Sequence, residues 1–278
     1  MILAILLGPY AAFLVMASVL TVQALFFADG GLLALGCNIW NLGFYQCFIA
    51  FPFIYRPLAG DGKNPKKILA AALVSGVVGL QMGAFSVVVQ TVMSGNSELP
   101  FGTFVLLMQP IHLGIGIVEG FVTAGVINYV RTVRPELLDS VVRSKPLEAG
   151  VSVKKTLITF AMLAIITGGA LSWFASSHPD GLEWSIEKIT GKGELHEKDH
   201  EITGKLKGVQ EKTAFLPDYN FKQEKTEGEK KSGDSTAWPG IEAGTSISGI
   251  LGAFMVLAFC LVIGFGIKAF RGKQGRAQ

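Results

Sequence analysis

His112 and Glu119 are the residues with the clearest chemical potential in this chain, because they stand seven apart inside the otherwise uncharged stretch Phe101–Val130. Residues seven apart in a helix lie near one face, about two turns from each other. Within a membrane span such ionisable groups are costly and mark candidate sites for cation or proton handling. An interfacial His112 and a Glu119 that bonds a neighbouring helix account equally well for the pair. Pro110 precedes them and is expected to bend the helix, freeing carbonyls near His112. Asn38 and Asn41 follow the turn Ala28–Gly31, and Gln23, Gln46, Gln81, Gln90 and Gln109 add further amides. These groups suit either a polar cavity for a partly hydrated cation or ordinary interhelical hydrogen bonds. Asp29 reads as a turn residue at the water boundary.

The pentapeptide HEKDH, His196 to His200, matches H-E-x-x-H, in which two histidines hold zinc and the glutamate acts as base. Its surroundings, GELHEKDHEITGK, are polar on every side, whereas a zinc hydrolase needs an apolar helix beside its cleft and a third ligand. Loose divalent-metal binding by His196 and His200, aided by Glu197, Asp199 and Glu201, is a second reading. A solvated charge cluster is the third. No catalytic residue and no permanently bound cofactor is assigned. The metal-ligand candidates are His112, Glu119, Asn38, Asn41, His196 and His200.

These residues are carried by a chain that is half hydrophobic and 16% charged, with 34 glycines in 278 residues. That mixture suits packed membrane helices. Six apolar stretches approach the ~20 residues of a spanning helix: Ile2–Phe27, Ile39–Tyr55, Ile68–Met93, Phe101–Val130, Leu157–Ala175 and Ser246–Ile267. The expected fold is an all-α integral membrane protein of about six transmembrane helices with one long extracytoplasmic loop, 176–245. Outside that loop every Lys and Arg falls in 56–67, 131–155 or 268–276. The positive-inside rule puts these segments, and both termini, in the cytoplasm. The net charge of +3 reflects this bias and calls for no nucleic-acid partner. Cys37, Cys47 and Cys260 read as small apolar packers. No G-x-x-x-x-G-K-[ST] loop is present, so ATP hydrolysis by that route is excluded.

Three parts follow: a membrane domain over 1–140, a basic cytoplasmic linker over 141–155, and a two-span module over 156–278. Within the last, 186–235 carries few large apolar side chains and is expected to be partly disordered. Small residues recur four apart at Ser75, Gly79 and Gly83, at Gly116, Gly120 and Ala124, and at Gly244, Ser248 and Gly252. They are read as packing seams, with the lining of a substrate path as the alternative.

LLGP (Leu6–Pro9), QALFFADGGLLALGCNIWN (Gln23–Asn41), HLGIGIVEGFVTAGV (His112–Val126) and VRPELL (Val133–Leu138) together resemble the CbiM/NikM family. These are the membrane substrate-capture (S) components of cobalt/nickel energy-coupling-factor transporters. PDGLEWS (Pro179–Ser185) resembles the start of a PDGLE-type domain, an auxiliary element that helps metal loading. The resemblance implies ATP-driven uptake of Co2+ or Ni2+ across the inner (plasma) membrane of a prokaryote, with a link to cobalamin biosynthesis. It further implies a membrane coupling (T) component and ATP-binding cassette ATPases as partners, with the bilayer around them. Family members open with a Met-His segment and carry a second His in an S-G-H-type motif. Both are absent here, so the expectation is that the metal ligands lie upstream of Met1, through a start assigned too late or a degenerate copy. The alternatives are a membrane zinc metalloprotease using HEKDH and a non-transporting auxiliary or assembly subunit.

Overall fold

The computed structural model describes residues 1–95, 100–142, 154–175, 181–191, 201–221 and 241–274. HEKDH lies outside them. The described residues form helices and turns with no strand, the fold of an all-α membrane protein. Among the described residues four helices are long and apolar enough to cross a bilayer: Pro9–Phe26, Pro65–Met93, Phe101–Val133 and Ala243–Phe270. The chain divides into two compact units interleaved along the sequence. The first comprises 1–17, 36–151 and 178–200; the second comprises 18–35, 152–177 and 201–278.

In the first unit, the stretch expected to run unbroken from Ile2 is interrupted. Helix α1 (Ile2–Leu7) stops at Gly8, whose φ of 80° opens a corner, and α2 (Pro9–Phe26) restarts on a proline that needs no helical N–H donor. The second apolar stretch is helical without a break from Leu35 to Ala59, through α3 (Leu35–Asn38), a wide π-helix (Ile39–Tyr55) and α4 (Arg56–Ala59). Its register shows where Arg56 N–H bonds the Phe51 carbonyl, five residues back. Buried Asn41, Gln46, Phe51 and Tyr55 recur at five, five and four, which aligns them on one face of a π-helix.

Helix α5 (Pro65–Met93) starts on an Asn64 cap whose side chain accepts from Lys66 N at 2.9 Å and Lys67 N at 3.4 Å. Helix α6 (Phe101–Val133) runs through Pro110 as one helix. The two small-residue stripes serve two seams. Gly116 and Gly120 bring α6 onto the α5 backbone, where a Cβ at Gly120 would lie 2.7 Å from Leu73 Cα. Gly79 and Gly83 instead receive the π-helix. Helix α7 (Pro135–Val142) follows α6 and packs on α1. An apolar group of Ala84, Val88, Phe104 and Met108 is closed by Ile186, because Gly181–Thr190 packs on α6.

In the second unit, α8 (Lys154–Gly169) ends at a 3-10 turn, Leu171–Phe174, short of the span expected to reach Ala175. Helix α10 (Glu201–Thr213) and the second half of α9 (Gly181–Thr190) lie in 186–235, the segment expected to be partly disordered; α9 belongs to the first unit and α10 to the second. Order arises in the second unit because Phe215, Leu216 and Tyr219 supply apolar surface against Phe26 and Phe27. Helix α11 (Ala243–Gln274) meets α8 at Gly249 and Gly168, and Trp173 Nε1 donates to Ser246 Oγ at 2.6 Å. Its stripe Gly244, Ser248 and Gly252 is a seam for a loop: Ser248 Oγ donates to the Tyr219 carbonyl at 2.9 Å, and Gly252 faces Phe27.

Candidate functional site

Helix α6 presents His112 half-buried, with Nδ1 2.9 Å from the Met108 carbonyl one turn back. A carbonyl only accepts, so Nδ1 carries the proton, and in the neutral ring Nε2 keeps the lone pair that can bind a metal. Gly181 is held against this ring: a Cβ there would lie 3.0 Å from His112 Cε1 and 3.3 Å from Ile111 Cγ2. The glycine of the PDGLE motif thus fits its place by having no side chain. Glu119 turns to a different partner, its Oε1 2.9 Å from the Met1 nitrogen. The structure gives His112 and Glu119 separate partners, Met108 and Met1. Beside Pro110, the Gln109 carbonyl accepts from Gln81 Nε2 at 2.8 Å, so it is engaged.

Asn38 is half-buried at the junction of α3 and the π-helix, and Asn41 lies inside the bundle. Asn41 Nδ2 donates to Gln90 Oε1 at 2.8 Å, and Gln90 Nε2 donates to Ser86 Oγ at 3.2 Å. Asn41 Oδ1 is buried without a hydrogen-bond partner, and so are both amide atoms of Gln46. A Cβ at Gly79 would lie 2.7 Å from Gln46 Cδ, so the carboxamide occupies a notch that glycine alone provides. Leaving such groups unbonded costs about 1–3 kcal/mol each. They are therefore among the polar atoms of the first unit with most to gain from a water, and the two amide oxygens could also accept a cation. Gln46 was overshadowed in the sequence by the asparagines; the signal is its five-residue spacing from Asn41.

In the second unit the turn after α2 uses the left-handed region at Ala28, Gly30 and Gly31, with φ of 56°, 72° and 68°. Two glycines make that path accessible. Asp29 is far more than a turn residue. Its carboxylate accepts from the Tyr219 hydroxyl and, at 3.2 Å, from Gln23 Nε2, which also donates to the Tyr219 oxygen at 2.8 Å. Backbone bonds extend this junction: Leu216 N donates to Phe26 O at 3.3 Å and Asp218 N to Phe27 O at 2.9 Å. Thr213 Oγ1 donates to Leu25 O at 2.8 Å, and Leu32 N to Gln210 Oε1 at 3.1 Å. Burial first, and then the adjacent Asp29 carboxylate, push the Tyr219 phenol well above its ordinary range.

Among the described residues no group of three or more His, Cys, Asp or Glu side chains is arranged to hold a metal ion. His196 and His200 lie outside them. Cys47 is buried and packs as expected, whereas Cys37 is exposed.

Residues 1–137 match the family described as the cobalt uptake substrate-specific transmembrane region, CbiM, and residues 154–269 match the PDGLE domain. A fused NikMN relative of Archaeoglobus fulgidus is 29% identical over 271 residues, covering 96% of this chain and 74% of that one. The cobalt transport protein CbiM of Sorangium cellulosum is 31% identical over 149 residues, 51% of this chain and 64% of its own. The fused nickel transport protein NikMN of Rhodobacter capsulatus is 27% identical over 204 residues, 69% of this chain and 57% of its own. The chain thus spans less than two thirds of the last two relatives. No solved structure matches it.

Proposed function

We propose that this chain, which belongs to the CbiM family through residues 1–137 and carries a PDGLE domain over 154–269, captures cobalt or nickel ions for an uptake transporter. It acts in the plasma membrane of a prokaryote with both termini in the cytoplasm. A membrane coupling component and ATP-binding cassette ATPases supply the energy, and the chain itself is no enzyme. A cysteine placed at Ser232 is then labelled by an impermeant reagent in intact cells, and one at Ser144 only after lysis.

The observation that carries this reading is that both units join a PDGLE-domain segment to a CbiM-region segment. Gly181 sits on the His112 ring, and Tyr219 bonds Asp29 and Gln23. Capture needs a fixed frame, because divalent first-row ions are selected by geometry as much as by donor type. The auxiliary module supplies part of that frame. His112 Nε2 offers one borderline nitrogen donor, and Asn38 and Asn41 offer amide oxygens; a tight site requires further nitrogen donors.

The test is accumulation of radioactive Ni2+ and Co2+ in cells without other uptake systems, co-expressing the chain with coupling and ATPase subunits. Uptake of either ion that disappears with an inactive ATPase supports the reading. Absence of uptake in cells with a correctly assembled complex sinks it and favours the non-transporting auxiliary role.

A further inference from the structure

At the end of the first unit where α5 begins and α6 finishes, the helices leave a cavity of about 160 Å³. Its wall is mostly apolar: Phe51, Tyr55, Ala59, Ile68, Ile127 and Leu138. Ala59, Ile68 and Ile127 are buried, so the recess reaches into the bundle. Its lip is cationic. Arg56 borders it with its guanidinium carbon 6.0 Å from the Phe51 ring centroid. Arg131 stands one turn beyond Ile127 on the same face of α6, and its Nη1 donates to the Lys63 carbonyl at 2.6 Å. Arg131 Nε is buried with no hydrogen-bond partner. Residues 56–67 and 131–139 also hold Lys63, Lys66, Lys67 and Arg134, against Asp61, Glu136 and Asp139 as the acids.

An apolar recess with a guanidinium lip at the end of a membrane bundle selects an amphiphile with an anionic head. The volume is well below the ~300 Å³ at which sites for whole small molecules begin, yet it accepts the first methylenes of a chain. Guanidinium groups bind phosphate oxygens in paired, charge-assisted hydrogen bonds. Basic pockets between helices at the membrane surface are built for phospholipid heads. The geometry points to an anionic phospholipid seated here, its phosphate on Arg56 and Arg131 and the root of its acyl chain between Ala59, Ile68 and Ile127. The lipid would wedge the junction of the π-helix, α5 and α6, the helices that carry Asn41, Gln46 and His112.

Native mass spectrometry of the full chain in mild detergent tests this, with phosphatidylglycerol and phosphatidylcholine of equal chain length as probes. The expected result is retention of phosphatidylglycerol at least about tenfold above phosphatidylcholine, the scale of one charge-assisted hydrogen bond. Arg56→Gln, alone or with Arg131→Gln, should abolish the preference, while Arg56→Lys keeps most of it. Ala59→Leu, which fills the recess, should weaken retention of the same lipid with all charges in place. Millimolar inorganic phosphate should not displace the lipid, because it lacks the chain. Equal retention of the two lipids overturns the proposal, as does a preference untouched by Arg56→Gln and Ala59→Leu in variants that keep the parent's thermal transition. Displacement by inorganic phosphate alone also overturns it, since the site would then read a free anion.

Discussion

At Gly181 the C-terminal module meets His112 through a missing side chain, whereas at Tyr219 it meets Asp29 and Gln23 through shared hydrogen bonds. The first joint is made of close contact and belongs to a unit whose helices also meet at backbone distance, as at Gly120 and Leu73. The second is made of bonds at the edge of the apolar region, backed by the stacking of Phe27 on Tyr219 with ring centroids 5.0 Å apart. Close contact responds to added volume. A bonded junction responds to lost donors and to pH.

The largest effect is expected where volume enters the tightest seam. Gly120→Leu places its Cβ 2.7 Å from Leu73 Cα, backbone that cannot rotate away. A loss of about 3 kcal/mol is expected, read as a fall in thermal unfolding temperature of the purified chain. An unchanged transition would break the claim that α5 and α6 meet at backbone distance. Gly181→Val comes next, at about 1–2 kcal/mol, because the facing atoms are the end of an imidazole and one methyl, which yield more readily. The variant should lower metal uptake while leaving hydrogen exchange at the Leu216 and Asp218 amides unchanged. Acceleration there would mean that the two joints are not separate devices.

What the sequence revealed and what it hid follow the same division. Apolar length made the helices readable, and the Gly8-Pro9 corner was also written there, as a dipeptide that punctuates helices. The π-helix was hidden, since the hydrophobic run from Ile39 to Tyr55 fits either winding; the pair Asn41 and Gln46 is what distinguishes them. Glycine stripes announced close approach without naming the partner, so Gly244, Ser248 and Gly252 read as a helix seam although a loop fills it. His112 was legible as a rare ionisable residue in a span. Its neighbour Gly181 was not, because no local pattern links positions so distant in sequence. Asp29 was undervalued for the same reason: its role depends on Tyr219.

The bonded joint predicts a smaller, pH-dependent effect. Tyr219→Phe removes the hydroxyl that donates to Asp29 and accepts from Gln23, and should destabilise the junction by about 1 kcal/mol, seen as faster exchange at Leu216 and Asp218. Folding raises the phenol pKa, so the protonated form is the one the junction favours. Its contribution is complete below the ordinary phenol value near ~10 and is lost as the pH climbs through the higher folded value. Exchange at the two amides, corrected for its intrinsic pH dependence, should be flat from neutrality to about pH 9 and rise above about pH 10. Tyr219→Phe should abolish that alkaline step. A step that survives the substitution would place its origin elsewhere.

The smallest effect is expected from the segment that best matches a known motif. His196 and His200 lie four apart, close enough on a helix to share one ion, but the run around them is mostly Glu, Lys, Asp and Gly, with Leu195 and Ile202 as its only large apolar residues. Two histidines in so polar a run are expected to bind a divalent ion weakly, since ordering their side chains on binding costs entropy and the sequence around them supplies little apolar surface to offset it. His196→Ala with His200→Ala should therefore lower the rate of Ni2+ or Co2+ uptake by no more than about twofold, with its largest effect at limiting ion concentration. A complete loss of uptake at normal expression would make HEKDH a principal binding element and shift the weight of capture from the helices to the loop. Glu197→Gln separates the remaining reading: a metal-bound water needs Glu197 as base, whereas loose binding does not. Proteolysis by the purified chain that disappears with Glu197→Gln would convert the segment from a metal-collecting cluster to a catalytic one; unchanged uptake and no proteolysis in either chain leave it the lesser of the module's contributions, behind Gly181 and Tyr219.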